Sequence, residues 1–179
     1  MKKAFLFTLI LLLSASISFS QDTTKVNTKK DSTESKSGST FPVFTVQDFD
    51  GNNTQTDTIF EKGKPVFVSF WQFTCKPCVK ELNAIHDVIE DWEEEIEFQI
   101  VIISIDDSKT LQSAKNIINL KGWEFDAYFD INQSSKDLMG FENPPLGVIL
   151  NKEGEIVWRH ASYTEGDEEE IFEELKKLQ

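Results

Sequence analysis

Two hydrophobic patterns alternate along the chain after its first forty residues. Short, nearly continuous apolar runs are typical of buried strands, whereas apolar side chains three or four positions apart are typical of amphipathic helices. The first pattern predicts strands at 65–71, 98–105, 125–129 and 146–150, the last of which forms a hairpin with 155–160. The second predicts helices at 76–94, 108–120, 134–141 and 165–178. This order predicts an α/β fold, a three-layer α/β/α sandwich with a central mixed sheet.

The ends of one predicted helix carry recognisable signals. Ser108 is a plausible N-cap for the second helix, because a serine hydroxyl can accept a hydrogen bond from a free N–H of the first turn. Gly122 follows that helix, in the position where a glycine often ends one. We therefore expect the second helix to begin at Ser108 and to stop before Gly122.

The first twenty residues have the layout of a secretory signal peptide. Lys2 and Lys3 precede the apolar run 4–13, and small residues follow as far as Ser20. A membrane anchor is the alternative, but the apolar run is shorter than the roughly 20 residues that a spanning helix needs. We predict a signal peptide at 1–20 that is cleaved after Ser20, and hence a secreted, periplasmic protein.

The next segment, 21–40, is polar and contains no aromatic residue. It cannot bury enough apolar surface to offset the entropy of ordering, so we predict a disordered linker. The folded domain is then 41–179. It opens with 41–46, which reads as a short strand, and a turn at 48–52.

The net charge narrows the range of partners. The chain carries a formal charge of −13, and removal of 1–20 deletes two lysines and no acid, which makes the mature charge −15. Nucleic acids and anionic membranes repel such a surface, so neither is expected as a partner. A basic protein partner or simple solubility accounts for the charge.

The chemistry is concentrated in the two cysteines of the chain, Cys75 and Cys78, where a predicted strand meets a predicted helix. A helix N-terminus stabilises a thiolate through its free N–H groups and its dipole. Lys76 and Lys80 add positive charge there, and Pro77 suits the first turn because its missing N–H would have no partner. The pattern predicts a dithiol/disulfide centre in which Cys75 attacks and Cys78 closes the disulfide.

Other interpretations of the cysteine pair are weaker. A purely structural disulfide across two residues would constrain the unfolded chain little. A zinc site needs about four ligands, and His86 and His160 are the histidines left to complete one. We expect neither a metal nor another cofactor besides the redox-active Cys75–Cys78 disulfide.

These residues resemble a known family. Phe70 and Trp71, followed by Cys75-Lys76-Pro77-Cys78, are similar to the thioredoxin superfamily, and Glu81 after the motif is similar to its secreted TlpA/ResA-like branch of thiol-disulfide oxidoreductases. The similarity runs from about Phe41 to the C-terminus. It implies a thioredoxin-like sandwich with an N-terminal β-hairpin laid against the core.

The resemblance also implies a substrate-binding rim around the cysteines. It places a cis-proline opposite them, here Pro145 in preference to Pro144, although an ordinary loop before a strand remains the alternative. Pro144 would offer no N–H to an extended substrate, which predicts weaker peptide binding than in typical relatives. Trp71, Thr74, Lys76 and Pro77 complete the predicted rim, and core packing would explain Trp71 equally well.

Glu81 is the predicted proton acceptor. The family's buried acid in the preceding strand is replaced here by Ser69, and Glu81 matches the helix glutamate of the TlpA/ResA-like branch. A carboxylate near Cys78 could accept the proton that this thiol loses on attack. The alternative is an exposed helix glutamate paired with a lysine.

The resulting hypothesis is an extracytoplasmic thiol-disulfide oxidoreductase. The resemblance favours reduction of protein disulfides, such as those of haem-attachment cysteines in cytochrome c maturation, with electrons from a membrane-bound donor, and we expect a monomer. An oxidase would use the same residues in reverse. A soft-metal module that binds or delivers copper is the rival from another class. A domain used only for protein contacts is a weaker alternative. A peroxidase is disfavoured, because the peroxiredoxin pattern around the nucleophile is missing.

Overall fold

The computed structural model describes residues 38–179, so the predicted signal peptide and most of the predicted linker lie outside the described residues. The strands are β1 (Ser39–Thr40), β2 (Thr45–Gln47), β3 (Asn53–Gln55), β4 (Val66–Trp71), β5 (Gln99–Ser104), β6 (Asp126–Phe129), β7 (Leu146–Leu150) and β8 (Glu155–Ala161). The α-helices are α1 (Lys76–Glu95), α2 (Leu111–Lys121), α3 (Ser134–Met139) and α4 (Asp167–Lys176), and a short 3-10 helix covers Thr56–Thr58.

The eight strands form one mixed sheet in the order β1-β8-β7-β4-β5-β6-β2-β3. β4, β5 and β6 run parallel, and β7 pairs with β4 in the opposite direction. β7 and β8 form the predicted hairpin. The central position of β4 explains its continuous apolar sequence, because both of its faces are covered and all six of its residues are buried.

Each face of the sheet has its own apolar core. Phe67 and Trp71 of β4 point to a core shared with α1, α2 and α4. Val68 and Phe70 point the other way, to a core built with Met139 of α3 and with the segment that precedes β4. The predicted three-layer sandwich is therefore confirmed, with one outer layer supplied partly by irregular chain instead of helix.

Helix α1 owes its position to an apolar stripe. Leu82, Ile85 and Trp92 are buried at helical spacing against the sheet. Trp92 stacks on Phe172 of α4, with ring centroids 4.9 Å apart. Because α1 starts directly after β4, this packing holds its N-terminus at the carboxyl end of the central strand.

The start of α2 differs from the prediction. The helix begins at Leu111, and the carboxylate of Asp107 accepts the N–H groups of Lys109 and Thr110 ahead of it. Ser108 is therefore not the N-cap, since the turn that enters the helix is organised one residue earlier. Gly122 does end α2, in a left-handed conformation (φ 68°) that glycine adopts without strain.

The first described segment is ordered earlier than the predicted boundary at Phe41. Ser39 and Thr40 form β1, which pairs with the edge of β8. β2 and β3 pair antiparallel around a turn in which the Asp48 carboxylate accepts the N–H groups of Asp50 and Asn52. The first strand after Phe41 thus lies at Thr45–Gln47, later than the predicted 41–46. Within 38–179, no helix is long and apolar enough to cross a membrane.

Candidate active site

Cys75 and Cys78 form a disulfide at the junction of β4 and α1. Cys75 is the N-cap of α1, and its Sγ accepts the backbone N–H of Cys78 at 3.2 Å. Cys78 lies inside the first turn with no exposed surface, whereas Cys75 is half-buried. Only the Cys75 sulfur is therefore open to a large substrate, which fits the predicted division into an attacking and a resolving thiol.

The surroundings of Cys75 favour a thiolate once the disulfide is reduced. The N–H of Cys78 already points at its sulfur, and the positive end of the α1 dipole lies at the same place. Lys76 and Pro77 follow it in the first turn with exposed side chains, and Thr74 before it is exposed as well. Lys80 is exposed one turn further along α1. Thr74, Lys76 and Pro77 are thus exposed beside Cys75, and their contact with substrate stays a prediction.

The proline pair lies next to the attacking sulfur. The Pro144–Pro145 peptide bond is cis, as predicted for Pro145, and the carbonyl oxygen of Pro144 lies 3.5 Å from Cys75 Sγ. Pro145 is buried, and its own carbonyl accepts the N–H of Ser162 at 3.1 Å. Pro144 is half-buried at the rim and has no N–H. Two consecutive residues beside the sulfur thus lack a backbone donor.

Glu81 is a buried acid, not an exposed one. Its side chain is 1% exposed, and Ser69 Oγ of β4 donates a hydrogen bond to Glu81 Oε2 at 2.7 Å. Burial raises the pKa of Glu81 from 4.5 to about 7, with a smaller upward contribution from the charge of Asp167, and the hydrogen bond from Ser69 opposes both. The alternative of a solvated glutamate paired with a lysine is wrong.

A carboxyl group with a pKa near 7 can both accept and return a proton at neutral pH. Glu81 follows Cys78 by three residues on α1, so the two side chains project from neighbouring turns on one side of the helix. Both are buried on the side that faces β4. Glu81 and Cys78 thus lie on one side of α1, and the transfer of a proton between them stays a prediction.

Trp71 does not belong to the surface of the site. Its side chain is 0% exposed and packs edge-to-face on Trp123, with ring centroids 5.4 Å apart. The predicted role of Trp71 in contacting substrate is not supported, and the core-packing alternative describes it. Phe73, two residues further on, is half-buried beside the same core.

Asp106 is a residue near the site that the sequence analysis missed. It follows β5, has no exposed surface, and accepts the N–H of Phe73 at 2.9 Å and the hydroxyl of Ser104 at 2.9 Å through Oδ2. Burial raises the pKa of Asp106. By holding Phe73, this carboxylate fixes the loop that leads into Cys75.

The signal for Asp106 was present in the sequence. Parallel strands end at the same edge of a sheet, so an acid directly after the strand next to β4 has to lie near the β4–α1 loop. The presence of Asp106 beside the cysteines does not indicate a metal site. Among the residues that the structure describes, no group of three or more His, Cys, Asp or Glu side chains could hold a metal ion.

Comparison with known proteins agrees with this site. Residues 37–159 match the model of the AhpC/TSA family. The chain belongs to this family. A curated relative, the thiol-disulfide oxidoreductase ResA of Bacillus thuringiensis, is 28% identical over 170 residues, which cover 95% of this chain and 92% of the relative.

Solved structures show the same fold. A thioredoxin-like protein of Porphyromonas gingivalis is 33% identical, with a TM-score of 0.69 over 77% of this chain and 90% of its own. StoA from Bacillus subtilis has a TM-score of 0.58 at 20% identity and covers 74% of this chain and 96% of its own, a likeness of fold alone. The thioredoxin-like fold predicted from the cysteine motif is confirmed.

Proposed function

We propose that this thiol-disulfide oxidoreductase reduces disulfides of other proteins outside the cytoplasm. The observation that carries the proposal is the asymmetry of the cysteine pair. Cys75 presents its sulfur at the surface beside Pro144, and Cys78 is enclosed near a buried acid. An exposed nucleophile and a protected resolving thiol are what a two-step exchange needs.

The reaction begins with the reduced enzyme. The Cys75 thiolate attacks one sulfur of a substrate disulfide, a mixed disulfide forms, and the other substrate sulfur leaves as a thiolate that takes up a proton. Cys78 then loses its proton and attacks the Cys75 sulfur. The substrate leaves as a dithiol, and the enzyme keeps the Cys75–Cys78 disulfide, so two electrons have passed to the substrate.

Glu81 serves the second step in this scheme. Cys78 must be deprotonated before it attacks, and it has no exposed surface from which water could take the proton. Glu81 is buried on the same side of α1, and its pKa of about 7 leaves part of it as the ionised carboxylate at neutral pH. It accepts the proton of Cys78 and releases it after the substrate has left.

The residues around Cys75 determine how the substrate is bound in this scheme. Pro144 and Pro145 offer no N–H beside Cys75, so an extended substrate loses one backbone hydrogen bond, worth about 0.5–1.5 kcal/mol. Lys76, Thr74 and Pro77 provide the remaining contacts from the exposed first turn of α1. We expect peptide binding weaker than in relatives that have a donor at position 144.

Place and electron supply complete the proposal. The predicted signal peptide and the likeness to ResA support an extracytoplasmic, periplasmic enzyme. The scheme leaves the enzyme oxidised, so a membrane-bound donor has to return two electrons, and no cofactor besides the disulfide is required. Cysteines that must stay reduced for haem attachment are the substrate class we favour, with a monomeric enzyme.

Trapping of the mixed disulfide tests the assignment of the cysteines. Cys78→Ser removes the resolving thiol, so the variant should accumulate a covalent adduct with a disulfide-containing protein, detectable as a mass increase that dithiothreitol reverses. Cys75→Ser is the matched control and should form no such adduct. Adducts on Cys75→Ser and none on Cys78→Ser would contradict the proposed roles.

A further inference from the structure

The row of the sheet that contains Ser69, the hydrogen-bond partner of Glu81, also contains His160. Ser69 of β4 is directly opposite Gly147 of β7, and Gly147 is directly opposite His160 of β8. Residues opposite each other on neighbouring strands project to one face. Ser69 and His160 therefore both face the layer that contains α1 and α4, with a glycine between them.

His160, the outer residue of this row, lies beside a carboxylate. His160 Nε2 lies 3.3 Å from Asp167 Oδ2, and Trp158 stacks on the His160 ring with centroids 5.5 Å apart. Asp167 is the first residue of α4, and its Oδ2 also accepts the N–H of Thr164 at 2.7 Å. These contacts fix the carboxylate of Asp167 on the side of α4 that faces the sheet.

An apolar cover separates the two pairs. A methyl group at Gly147 would lie 2.9 Å from Cε2 of Phe67 and 3.6 Å from Cζ3 of Trp158, so these rings lie directly over the glycine. The Phe67 and Trp158 rings thus cover the sheet between Ser69 and His160, the residues beside Glu81 and Asp167. Charges across such a medium are screened far less than charges in water.

The groups around Glu81 are otherwise neutral or acidic. Ser69 of β4 donates a hydrogen bond to Glu81, and the negative charge of Asp167 on α4 raises its pKa by a smaller amount than burial does. Burial raises the pKa of the Tyr163 phenol, as does Glu168, to which its hydroxyl donates at 2.6 Å, and the charge of Glu81 adds a smaller contribution. In the part of the chain that the structure describes, no cation is paired with Glu81.

We propose that Asp167, at the start of α4 beside His160, is a positioning residue that sets the pH range in which Glu81 takes the proton of Cys78. This inference rests on the proposed function, because it gives a regulating partner to the acid of the same site. A fixed negative charge behind Glu81 disfavours a second one. Glu81 therefore keeps its proton up to a higher pH than burial and the Ser69 hydrogen bond alone would dictate.

The location of Asp167 ties this effect to the active site. The segment between β8 and α4 is fastened to the proline pair, since the N–H of Ser162 donates to the Pro145 carbonyl at 3.1 Å. α4 also packs against α1 and β4. A bound substrate that displaces the proline loop would therefore also displace the N-terminus of α4, where Asp167 lies.

The test removes the negative charge of Asp167 with little change in the size of its side chain. Asp167→Asn retains an oxygen for the N–H of Thr164, and Asp167→Ser is a second neutral variant in case the first folds poorly. Glu169→Gln is the matched control, because it removes the same charge from the same turn at an exposed position. The readout is the pH midpoint at which the infrared C=O band of protonated Glu81 disappears, assigned by its loss in Glu81→Gln.

Neutral variants of Asp167 should lower this midpoint by roughly half a pH unit, while Glu169→Gln should leave it within error. The acidic limb of the pH–rate profile should move to lower pH by the same amount. An unchanged midpoint in both Asp167 variants, or an equal shift in the control, would overturn the inference. Because the infrared midpoint needs no turnover, a failure of the proposed function would appear separately, as absent disulfide reduction.

Discussion

At the scale of single residues, the pKa of Glu81 depends on Ser69, a position at which the sequence shows only a missing acid. Ser69 occupies the place where the resembled family has a buried acid, and in the structure it donates the hydrogen bond that holds Glu81. The buried acid of this chain lies on the helix, and the residue on the strand donates a hydrogen bond to it. Spacing alone could indicate Glu81, but its burial results from the packing of α1 and α4 on β4.

Ser69→Ala should raise the pKa of Glu81 above its value of about 7, because the hydrogen bond from Ser69 is the interaction that lowers it. The acidic limb of the pH–rate profile for disulfide reduction should therefore move to higher pH, opposite to the shift expected for Asp167→Asn. Ser135→Ala is a suitable control, since Ser135 is buried and its hydroxyl has no hydrogen-bond partner among the described residues. A profile unchanged in Ser69→Ala would contradict the role of this bond.

Asp106 shows what residue patterns leave out. Its position after a buried strand is visible in the sequence, but its hydrogen bond to the N–H of Phe73 depends on β4 and β5 being neighbours.

Trp71 shows the reverse case. The motif suggested a substrate contact, and the depth of β4 in the sheet placed the ring in the core.

At the scale of elements, hydrophobic period predicted which segments become helices and strands, and tertiary contacts decided where they end. The second helix starts at Leu111 and not at Ser108, because Asp107 organises the preceding turn. β1 could not be predicted, since Ser39 and Thr40 carry no apolar signal and form a strand only by pairing with β8. Short edge strands depend on a neighbour that is distant in sequence.

Gly147 is the point where β7 tolerates no side chain. An added Cβ would approach the Phe67 ring at 2.9 and 3.1 Å, and this ring is fully buried, so the side chain or the strand has to shift. We expect Gly147→Ala to lower the free energy of unfolding by about 1–3 kcal/mol, measured by urea denaturation. Phe67→Leu in the Gly147→Ala background should recover part of that loss. Equal stability of Gly147→Ala and wild type would show that the ring does not constrain this strand.

At the scale of the whole molecule, the buried acid makes stability depend on pH. The pKa of Glu81 is 4.5 in the unfolded reference and about 7 in the folded protein, so the folded state binds this proton more tightly. Its contribution is complete below pH 4.5 and is lost as the pH rises through 7, by an amount of roughly 3 kcal/mol. The raised pKa of Asp106 acts in the same direction.

Urea denaturation of the oxidised protein between pH 4 and 9 measures this dependence. The free energy of unfolding should fall over the interval from 4.5 to 7 in the wild type, and Glu81→Gln should remove much of that fall because it cannot ionise. Glu169→Gln, an exposed substitution on α4, should keep the wild-type slope. Identical slopes in Glu81→Gln and wild type would mean that Glu81 does not hold its proton in the folded state.

The direction of electron flow is the central claim, and the reduction potential of the Cys75–Cys78 pair tests it most directly. The purified protein is equilibrated with glutathione or dithiothreitol buffers, and the fraction of disulfide is measured by alkylation of the free thiols. A reductase should have a potential near that of thioredoxin, about −270 mV. A potential near −120 mV, the value of the oxidant DsbA, would mean that the protein donates disulfides and would contradict the proposed direction.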